Sequence, residues 1–337
     1  MKNRIVTDKS LLDMNTFGIS ARTAYYAEFS SVYELRAVLA DPQVAGLPRR
    51  VVGGGSNILL QGDFPGLILH PAAQEISLLE KTGDTVVIRA EAGVEWDLFV
   101  AWNVARGYAG LENLSLIPGY VGASVIQNIG AYGVEACEAV REVEIFRTDT
   151  GLTETIPAEK CRFGYRDSIF KRELFGKAIV LSVMFVLSTV PRFRLDYGDL
   201  RAEVERRGGA TIENVRQAVI AIRESKLPDP KVLGNSGSFF KNPVVSEAMS
   251  AELTAKYPDM PAYPVPDGVK LAAGWLIDHA GWKGRRMGNA GVHDRQALVL
   301  VNSGGATGAE ILALARAIQD DIHEKFGVDI EPEVNIL

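Results

Sequence analysis

Residues 117–133 read Ile-Pro-Gly-Tyr-Val-Gly-Ala-Ser-Val-Ile-Gln-Asn-Ile-Gly-Ala-Tyr-Gly, with four glycines and no charged residue. Glycine permits positive φ and lets a backbone come close to another group. The spacing is too irregular for a helix or a repeat. We therefore interpret this stretch, the glycine loop, as a wall of backbone amides and small side chains against a large, flat ligand. The residues alone leave open a loop that only packs.

A second glycine stretch, Gly53-Gly54-Gly55-Ser56-Asn57, lies between the predicted strand Arg50–Val52 and the apolar residues Ile58–Leu60. Consecutive amides in this glycine turn can form an anion-binding nest. The dinucleotide fingerprint would need a third glycine at Ile58 and then a helix. The chain also lacks a GxxxxGK[ST] phosphate loop. The two glycine segments together suggest one dinucleotide cofactor that is bound without a Rossmann motif.

Length and composition limit the possible classes of protein. The chain has 337 residues, of which 23% are charged and 47% hydrophobic, which predicts a globular protein of two or three domains. The net charge is −6 and no Lys/Arg run is present, which argues against nucleic acid and membrane as partners. The two cysteines form no CxxC and the four histidines no HExxH spacing, so we expect no metal site.

The N-terminal residues Met1-Lys2-Asn3-Arg4 lead into no apolar signal region. No apolar run reaches the length needed to span a membrane. These features predict a cytoplasmic protein.

Local signals indicate a mixed α/β chain. Ser31-Val32-Tyr33-Glu34 and Thr307-Gly308-Ala309-Glu310 are capping boxes that predict helix starts, and Gly327 predicts the end of the second helix. Alternation over Val140–Arg147 predicts a half-exposed strand, and the apolar run Ala178–Leu187 predicts another.

Other segments predict helix faces, loops and a boundary. Trp96, Phe99, Val100 and Val104 mark one face of a helix that ends before Gly107. Several prolines predict a long loop over Pro258–Asp267, and Gln296–Val301 is a candidate buried strand. The polar residues 201–214 are a candidate domain boundary.

Several long motifs resemble one known family. They are Gly53–Asn57, Ile117–Gly133, Cys161–Phe170, Lys226–Pro230, Gly234–Pro243, Leu271–Ile277 and Gln296–Asn302. With these motifs the chain resembles the UDP-N-acetylenolpyruvoylglucosamine reductase family, the flavoenzymes that make UDP-N-acetylmuramate for peptidoglycan. The resemblance runs from Asn15 to Val334. The segment Tyr197-Gly198-Asp199-Leu200 resembles the longer class, which has an extra loop over the substrate.

The resemblance implies an α/β (α+β) fold. Residues 15–190 would form an FAD-binding domain of the vanillyl-alcohol-oxidase (PCMH) type, with subdomains of about 15–72 and 73–190. Residues 215–326 would form a C-terminal α/β substrate domain. Residues 327–337 would be a tail that returns to the active site.

The resemblance also implies a reaction and its cofactors. Noncovalent FAD between the two glycine segments would pass a hydride from NADPH to enolpyruvyl-UDP-GlcNAc, and the protein would act as a monomer without a metal ion. The residues implied to bind FAD are Gly53, Gly54, Gly55, Ser56, Asn57, Ile117, Pro118, Gly119, Gly122, Ala123, Ser124, Gln127, Asn128, Gly130, Gly133 and Arg223. From the residues alone, Arg223 could equally be a solvated charge.

Catalysis is implied for three residues by the resemblance. Arg166 would stabilise negative charge on the substrate, Ser238 would donate a proton, and Glu333 would be an acid on the opposite side. The implied substrate-binding residues are Tyr197, Lys226, Asn242 and Gln296.

The residues alone leave other roles open. Arg166 could form a surface salt bridge to Asp167 or Asp149, Ser238 could be an ordinary turn serine, and Glu333 could be an exposed carboxylate.

Val125, Asp294 and Asn335 depart from the family pattern, which puts nearby contacts in question.

Two rival functions remain: a flavin oxidase of the same fold, and a nonenzymatic protein that binds a nucleotide sugar. Neither glycine segment contains His or Cys, which favours noncovalent FAD.

Overall fold

The computed structural model describes residues 5–337, so Met1–Arg4, on which the expectation about targeting rests, lie outside the described residues. The described chain divides into two units. The first contains residues 5–9, Thr23–Gly54 and Pro65–Ser225. The second contains Ser10–Arg22, Gly55–Phe64 and Lys226–Leu337.

Helices and strands are distributed over both units. The strands are β1 (Ile5–Ser10), β2 (Arg22–Phe29), β3 (Arg49–Val51), β4 (Ile58–Leu59), β5 (Phe64–Pro71), β6 (Ile76–Thr82), β7 (Thr85–Glu91), β8 (Gly130–Ala131), β9 (Val134–Glu135), β10 (Val140–Arg147), β11 (Thr153–Pro157), β12 (Ala178–Ser188), β13 (Gly234–Ser238), β14 (Val244–Val245), β15 (Ala262–Val265), β16 (Gly268–Leu271), β17 (Arg286–Met287), β18 (Ala290–Val292), β19 (Val299–Asn302) and β20 (Asn335–Ile336). The α-helices are α1 (Val32–Leu39), α2 (Trp96–Val104), α3 (Val121–Ser124), α4 (Leu200–Arg206), α5 (Ile212–Lys226), α6 (Glu247–Lys256), α7 (Ala273–His279) and α8 (Gly308–Phe326). This mixture confirms the α/β (α+β) class.

The larger sheets of the first unit have the orders β1-β2-β5-β3 and β11-β10-β12-β7-β6. Strand β3 runs parallel to β5, whereas the pairs of the five-stranded sheet are antiparallel. Helix α2 packs on the five-stranded sheet, and the rings of Phe99 and Phe185 lie 4.8 Å apart. Trp96, Phe99 and Val100 are fully buried, which confirms the predicted apolar face. The predicted strands Val140–Arg147 and Ala178–Leu187 are β10 and β12.

The second unit contains the sheets β13-β19-β18-β17, β14-β16-β15 and β20-β4. Helix α8 begins with the predicted capping box, in which Thr307 and Glu310 exchange hydrogen bonds. It ends at Gly327, whose φ of 67° is the left-handed conformation that glycine adopts readily. The expected start and end of this helix are therefore confirmed.

Three local features differ from the sequence expectation. The segment 258–267, for which the prolines predicted a loop, contains strand β15, which pairs with β16. Strand β15 is an edge strand, and proline is tolerated there because its missing N–H is not needed by a further neighbour. The capping box predicted at α1 is formed only in part. The Ser31 hydroxyl accepts from the Glu34 amide, but the Glu34 carboxylate accepts from the Ser30 amide instead of the Ser31 amide. The polar residues 201–214 contain most of α4 and the start of α5, and in this part of the chain the first unit ends at Ser225.

Within residues 5–337, no helix is both long and apolar enough to cross a membrane. The same residues contain no group of three or more His, Cys, Asp or Glu side chains placed to hold a metal ion. Cys137 and Cys161 are both free thiols.

Helix α8 depends on a glycine at its first residue. A Cβ on Gly308 would lie 1.8 Å from the carbonyl oxygen of Leu60. We expect Gly308→Ala to lower the free energy of unfolding by about 1–3 kcal/mol, because this backbone contact must open. Urea unfolding followed by circular dichroism measures the change. Gly62→Ala is the matched control, since no atom lies within 4 Å of that Cβ position. Equal stability of the two variants would contradict the prediction.

Candidate active site

The first half of the glycine turn lies against the glycine loop within the first unit. A Cβ on Gly53 would lie 3.1 Å from the Tyr120 ring, and a Cβ on Gly54 would lie 3.4 Å from the Cα of Gly119. Among residues 5–337, the backbone N–H groups of Gly53 and Gly54 meet no acceptor. They remain available to an anionic ligand such as a pyrophosphate, so the residues present fit a dinucleotide.

The second half of the turn belongs to the second unit. A Cβ on Gly55 would lie 1.9 Å from the carbonyl oxygen of Met14, so close packing by itself requires glycine there. Ser56 follows and is partly exposed. The carbonyl of Asn57 accepts hydrogen bonds from the backbone and side chain of Asn335, at 3.1 and 3.0 Å. Asn335, which departs from the family pattern, therefore holds the end of the turn.

The predicted FAD-binding residues of the glycine loop fall into two groups. Those that keep exposed surface are Ile117, Pro118, Gly119, Ala123, Gln127, Gly130 and Gly133. Gly122, Ser124 and Asn128 are buried. Ser124 donates to Val121, and a Cβ on Gly122 would lie 2.7 Å from that of Ala92. The exposed group is the one that can face a ligand, and the buried group fixes the shape of the loop.

The departure at Val125 affects the core rather than the exposed part of the loop. Val125 is fully buried and belongs to the main apolar cluster of the first unit. Its side chain therefore contributes packing to this cluster.

The predicted motif Cys161–Phe170 is hydrogen-bonded along the glycine loop. The Asn128 side chain donates to the Gly164 carbonyl at 3.1 Å. Arg166 Nη2 donates to the Gly130 carbonyl at 2.7 Å. The Ser168 hydroxyl donates to the Ile126 carbonyl at 2.5 Å. The structure thus brings the Arg166 guanidinium to the loop.

The carboxylates considered as salt-bridge partners of Arg166 pair with other arginines. Asp167 pairs with Arg172, and Asp149 pairs with Arg147 at 2.7 Å. Arg166 itself has a φ of 55°, a conformation that costs energy in a non-glycine residue. Strained residues of this kind concentrate at functional sites, which agrees with a role for Arg166.

Arg223 lies against the entrance of the loop. Its Nε donates to the Leu116 carbonyl at 3.2 Å. Burial lowers the pKa of Arg223, and the nearby Tyr132 and Asp97 act in the opposite direction. The guanidinium is therefore placed at the loop and is not a fully solvated charge.

Asp97 and Arg216 also belong to this region, although the sequence did not indicate them. Arg216 donates to both carboxylate oxygens of Asp97, at 2.6 and 2.8 Å, and the Leu116 amide donates to Asp97 at 2.5 Å. Burial raises the pKa of Asp97, but the hydrogen bonds from Arg216 and Leu116 outweigh it and lower the pKa. The carboxylate is thus held in its charged form beside the loop.

Tyr197, a predicted substrate-binding residue, contacts the end of the glycine loop. Its ring lies 5.8 Å from that of Tyr132 in an edge-to-face arrangement, and 60% of its surface is exposed. The buried Asn113 side chain donates to the carbonyls of Tyr132 and Arg194, both at 2.9 Å. These bonds connect the chain before Tyr197 to the loop.

Ser238 lies at the end of β13 in the second unit, opposite Val299. The pairing shifts register between Asn235 and Ser238, and Gly237 has a φ of 69°. The Asn235 side chain accepts from the Gly237 amide at 2.9 Å and so fixes this bulge. A bulge of this kind redirects a side chain, and here it precedes the partly exposed Ser238.

Glu333 lies on the segment next to Ser238. Its backbone N–H donates to the Phe239 carbonyl at 2.7 Å, and Pro332 pairs with Phe240. Phe239 and Phe240 are almost fully buried and anchor this end of β13. The C-terminal tail therefore brings Glu333 close to the serine in the second unit, and Glu333 keeps partial exposure.

The remaining substrate-binding candidates lie in the second unit. Asn242 accepts a hydrogen bond from Ala273, the first residue of α7, at 3.0 Å. Gln296 Oε1 lies 3.4 Å from the position of a Cβ on Gly274, so it borders the same helix end. Lys226 is the exposed last residue of α5 and the first residue of this unit.

Two family profiles match the chain. One, described as "FAD binding domain", matches residues 23–156. The other, described as "UDP-N-acetylenolpyruvoylglucosamine reductase, C-terminal domain", matches residues 229–337.

Relatives match over nearly the whole chain. The UDP-N-acetylenolpyruvoylglucosamine reductase of Chromobacterium violaceum is 51% identical, over 98% of this chain and 98% of that protein. The reductase of that name from Paraburkholderia xenovorans is 50% identical, over 95% and 94%. The crystal structure of UDP-N-acetylenolpyruvylglucosamine reductase (MurB) from Thermus caldophilus has a TM-score of 0.68 and 25% identity, and covers 98% of this chain and 97% of that chain.

The position of the glycine loop depends on Gly122. We expect Gly122→Ala to lower the affinity for FAD about 5- to 150-fold, because the added methyl group overlaps Ala92 and displaces the loop. The ratio of flavin to protein absorbance after dilution and gel filtration measures the loss. Gly62→Ala again serves as the control. Full flavin retention in Gly122→Ala would show that the position of the glycine loop does not determine the affinity for FAD.

Proposed function

The chain belongs to the UDP-N-acetylenolpyruvoylglucosamine reductase family, and we propose that it reduces enolpyruvyl-UDP-GlcNAc to UDP-N-acetylmuramate in peptidoglycan synthesis. FAD is the cofactor and NADPH is the reductant. The observation that carries the proposal is the pair of open N–H groups at Gly53 and Gly54, which lie against the glycine loop.

FAD supplies the hydride, which no amino-acid side chain can provide. The open amides of Gly53 and Gly54 suit the pyrophosphate, and the exposed residues of the glycine loop suit the ring system. Arg223, half-buried against the loop entrance, supplies a positive charge on this side of the site. Neither glycine segment offers a His or Cys for covalent attachment, so the cofactor is held noncovalently.

Negative charge develops on the substrate when a hydride is added to its enolpyruvyl group. The terminal carbon of the enolpyruvyl group receives the hydride, and charge builds up on the adjacent carbon and the carboxylate. Arg166 is proposed to stabilise that charge, because a guanidinium can bind a carboxylate with two hydrogen bonds. The bonds from Arg166 to the loop carbonyls support this role, since they orient the guanidinium before the substrate binds.

The reaction is completed by a proton on the adjacent carbon, where the negative charge has built up. Ser238 is proposed as the donor, and the bulge before it and the buried phenylalanines after it hold it in one position. A serine hydroxyl is a weak acid and needs an ionisable neighbour to exchange its proton. Glu333, on the adjacent segment, is the proposed assisting acid.

The substrate is proposed to contact four further residues. Tyr197 and Lys226 suit diphosphate oxygens or the enolpyruvyl carboxylate. Asn242 and Gln296, which border the start of α7, offer amide groups for hydrogen bonds to the sugar nucleotide. We further propose that the protein works in the cytoplasm as a monomer.

The purified protein should be yellow and should oxidise NADPH over many turnovers only when enolpyruvyl-UDP-GlcNAc is present to re-oxidise the flavin. Acid precipitation should release all flavin into the supernatant, because the cofactor is not covalently bound. The visible spectrum reports bound flavin, the absorbance at 340 nm follows NADPH oxidation, and an oxygen electrode measures oxygen consumption. Rapid oxygen consumption without the sugar nucleotide would favour an oxidase, and a colourless protein would favour a nonenzymatic binding protein.

Ser238→Ala should separate the two half-reactions. NADPH should still bleach the flavin band at nearly the wild-type rate, because this step needs no proton on the sugar nucleotide. Re-oxidation by the substrate should slow about 10²–10⁴-fold, the usual contribution of a positioned proton donor. Stopped-flow absorbance follows each step.

Ser238→Thr is the matched control for this experiment, since it retains a hydroxyl group and should keep more of the re-oxidation rate than Ser238→Ala. Wild-type re-oxidation in Ser238→Ala would mean that the serine is structural.

A further inference from the structure

Leu116 enters the glycine loop in a conformation that a leucine does not adopt without support. Its φ is 58°, within the left-handed region that favours glycine. Such a residue persists only where the surrounding structure fixes it. Leu116 directly precedes Ile117, Pro118 and Gly119. Its backbone angles therefore set the direction of the chain at the start of the glycine loop.

Both backbone polar groups of Leu116 are held by charged side chains. The N–H donates to Asp97 Oδ1 at 2.5 Å, and the carbonyl accepts from Arg223 Nε at 3.2 Å. The two bonds act on opposite sides of one residue. Together they define the orientation of the peptide planes on either side of its Cα.

Asp97 is in turn held from the other side. Arg216 binds its carboxylate through two hydrogen bonds, at 2.6 and 2.8 Å, and the side chains of Arg216 and Asp97 are only 11% and 23% exposed. Arg216 and Arg223 are seven residues apart on α5, which is close to two helical turns, so they lie on one face. Helix α5 thus supports Leu116 twice, directly through Arg223 and indirectly through Arg216 and Asp97.

We infer that Asp97 is a positioning residue for FAD: it holds Leu116 in the left-handed conformation and so fixes the wall Ile117–Gly119. The inference rests on the proposed FAD-dependent function. A buried ion pair alone is weak grounds for such a role, because many pairs only occupy the interior. The bond from Asp97 to a strained backbone at the loop entrance distinguishes this pair.

The test compares the FAD affinity of Asp97→Ala with that of the double variant Asp97→Ala, Leu116→Gly. Without its acceptor, Leu116 relaxes out of the left-handed region, and we expect FAD to bind about 10- to 100-fold more weakly. Glycine adopts positive φ without strain, so Leu116→Gly should recover most of the loss. The fluorescence of flavin released on dilution of each holoprotein gives the dissociation constants.

Matched measurements separate this role from loss of structure. Glu144→Gln disturbs another partly buried pair of the first unit, Arg89 with Glu144, and should leave FAD affinity unchanged. Urea unfolding of each protein without FAD reports the stability of the fold. If Asp97→Ala does not fold, Asp97→Leu with Arg216→Met replaces it, because apolar side chains can substitute for a buried pair without loss of stability. The same rescue by Leu116→Gly is then expected.

Two results would overturn the inference. One is wild-type FAD affinity in the variant without the Asp97 carboxylate. The other is a loss that Leu116→Gly does not reduce, which would make the pair merely structural. Absence of FAD from the wild-type protein would instead refute the proposed function, so the two failures are distinct.

Discussion

Val121, Val125 and Ile129 anchor the glycine loop in the apolar core, but its glycines carry no side chain, so the path of the backbone between these anchors depends on hydrogen bonds. In the first unit polar side chains from the surrounding elements make these bonds. Asp97 and Arg223 hold Leu116 before the loop, Ser168 holds Ile126 in its middle, and Arg166 and Asn113 hold carbonyls near its end. The open amides at the turn Gly53–Gly54 are useful to a ligand only because the opposite wall is fixed in this way.

In the second unit the C-terminal tail also fixes the position of site residues through backbone hydrogen bonds. The tail pairs with β4 through Asn335 and with the end of β13 through Glu333. Because the backbone on both sides of Val334 is hydrogen-bonded, Glu333 acquires a defined position next to the segment that contains Ser238. Glu333, for which the sequence left open an exposed carboxylate, is partly exposed, and its backbone N–H is hydrogen-bonded to Phe239. The Asn57 carbonyl, held by Asn335, shows that this tail also supports the turn that begins at Gly53.

Features with a local signal could be predicted from the sequence, and features that depend on distant partners could not. Helix α8 was defined at both ends, because Thr307, Glu310 and Gly327 act within one helical turn of its ends. The edge strand β15 was missed, since its existence depends on pairing with β16. The bulge at Gly237 could not be foreseen for the same reason. Most candidate site residues came from family resemblance, which local physics alone would not have supplied.

Asp97 shows why the remaining part of the site was not predicted. It directly follows Trp96, whose periodicity with Phe99 marks the buried face of α2, and this pattern gives no information about the opposite face. Its partner Arg216 is 119 residues away in sequence. An isolated aspartate and an isolated arginine are most often solvated, so nothing local distinguished them. Only the folded chain shows that Arg216 binds Asp97 and that Asp97 binds the Leu116 amide, and a strained leucine beside a partly buried carboxylate is a more specific indication of a built site than either charge alone.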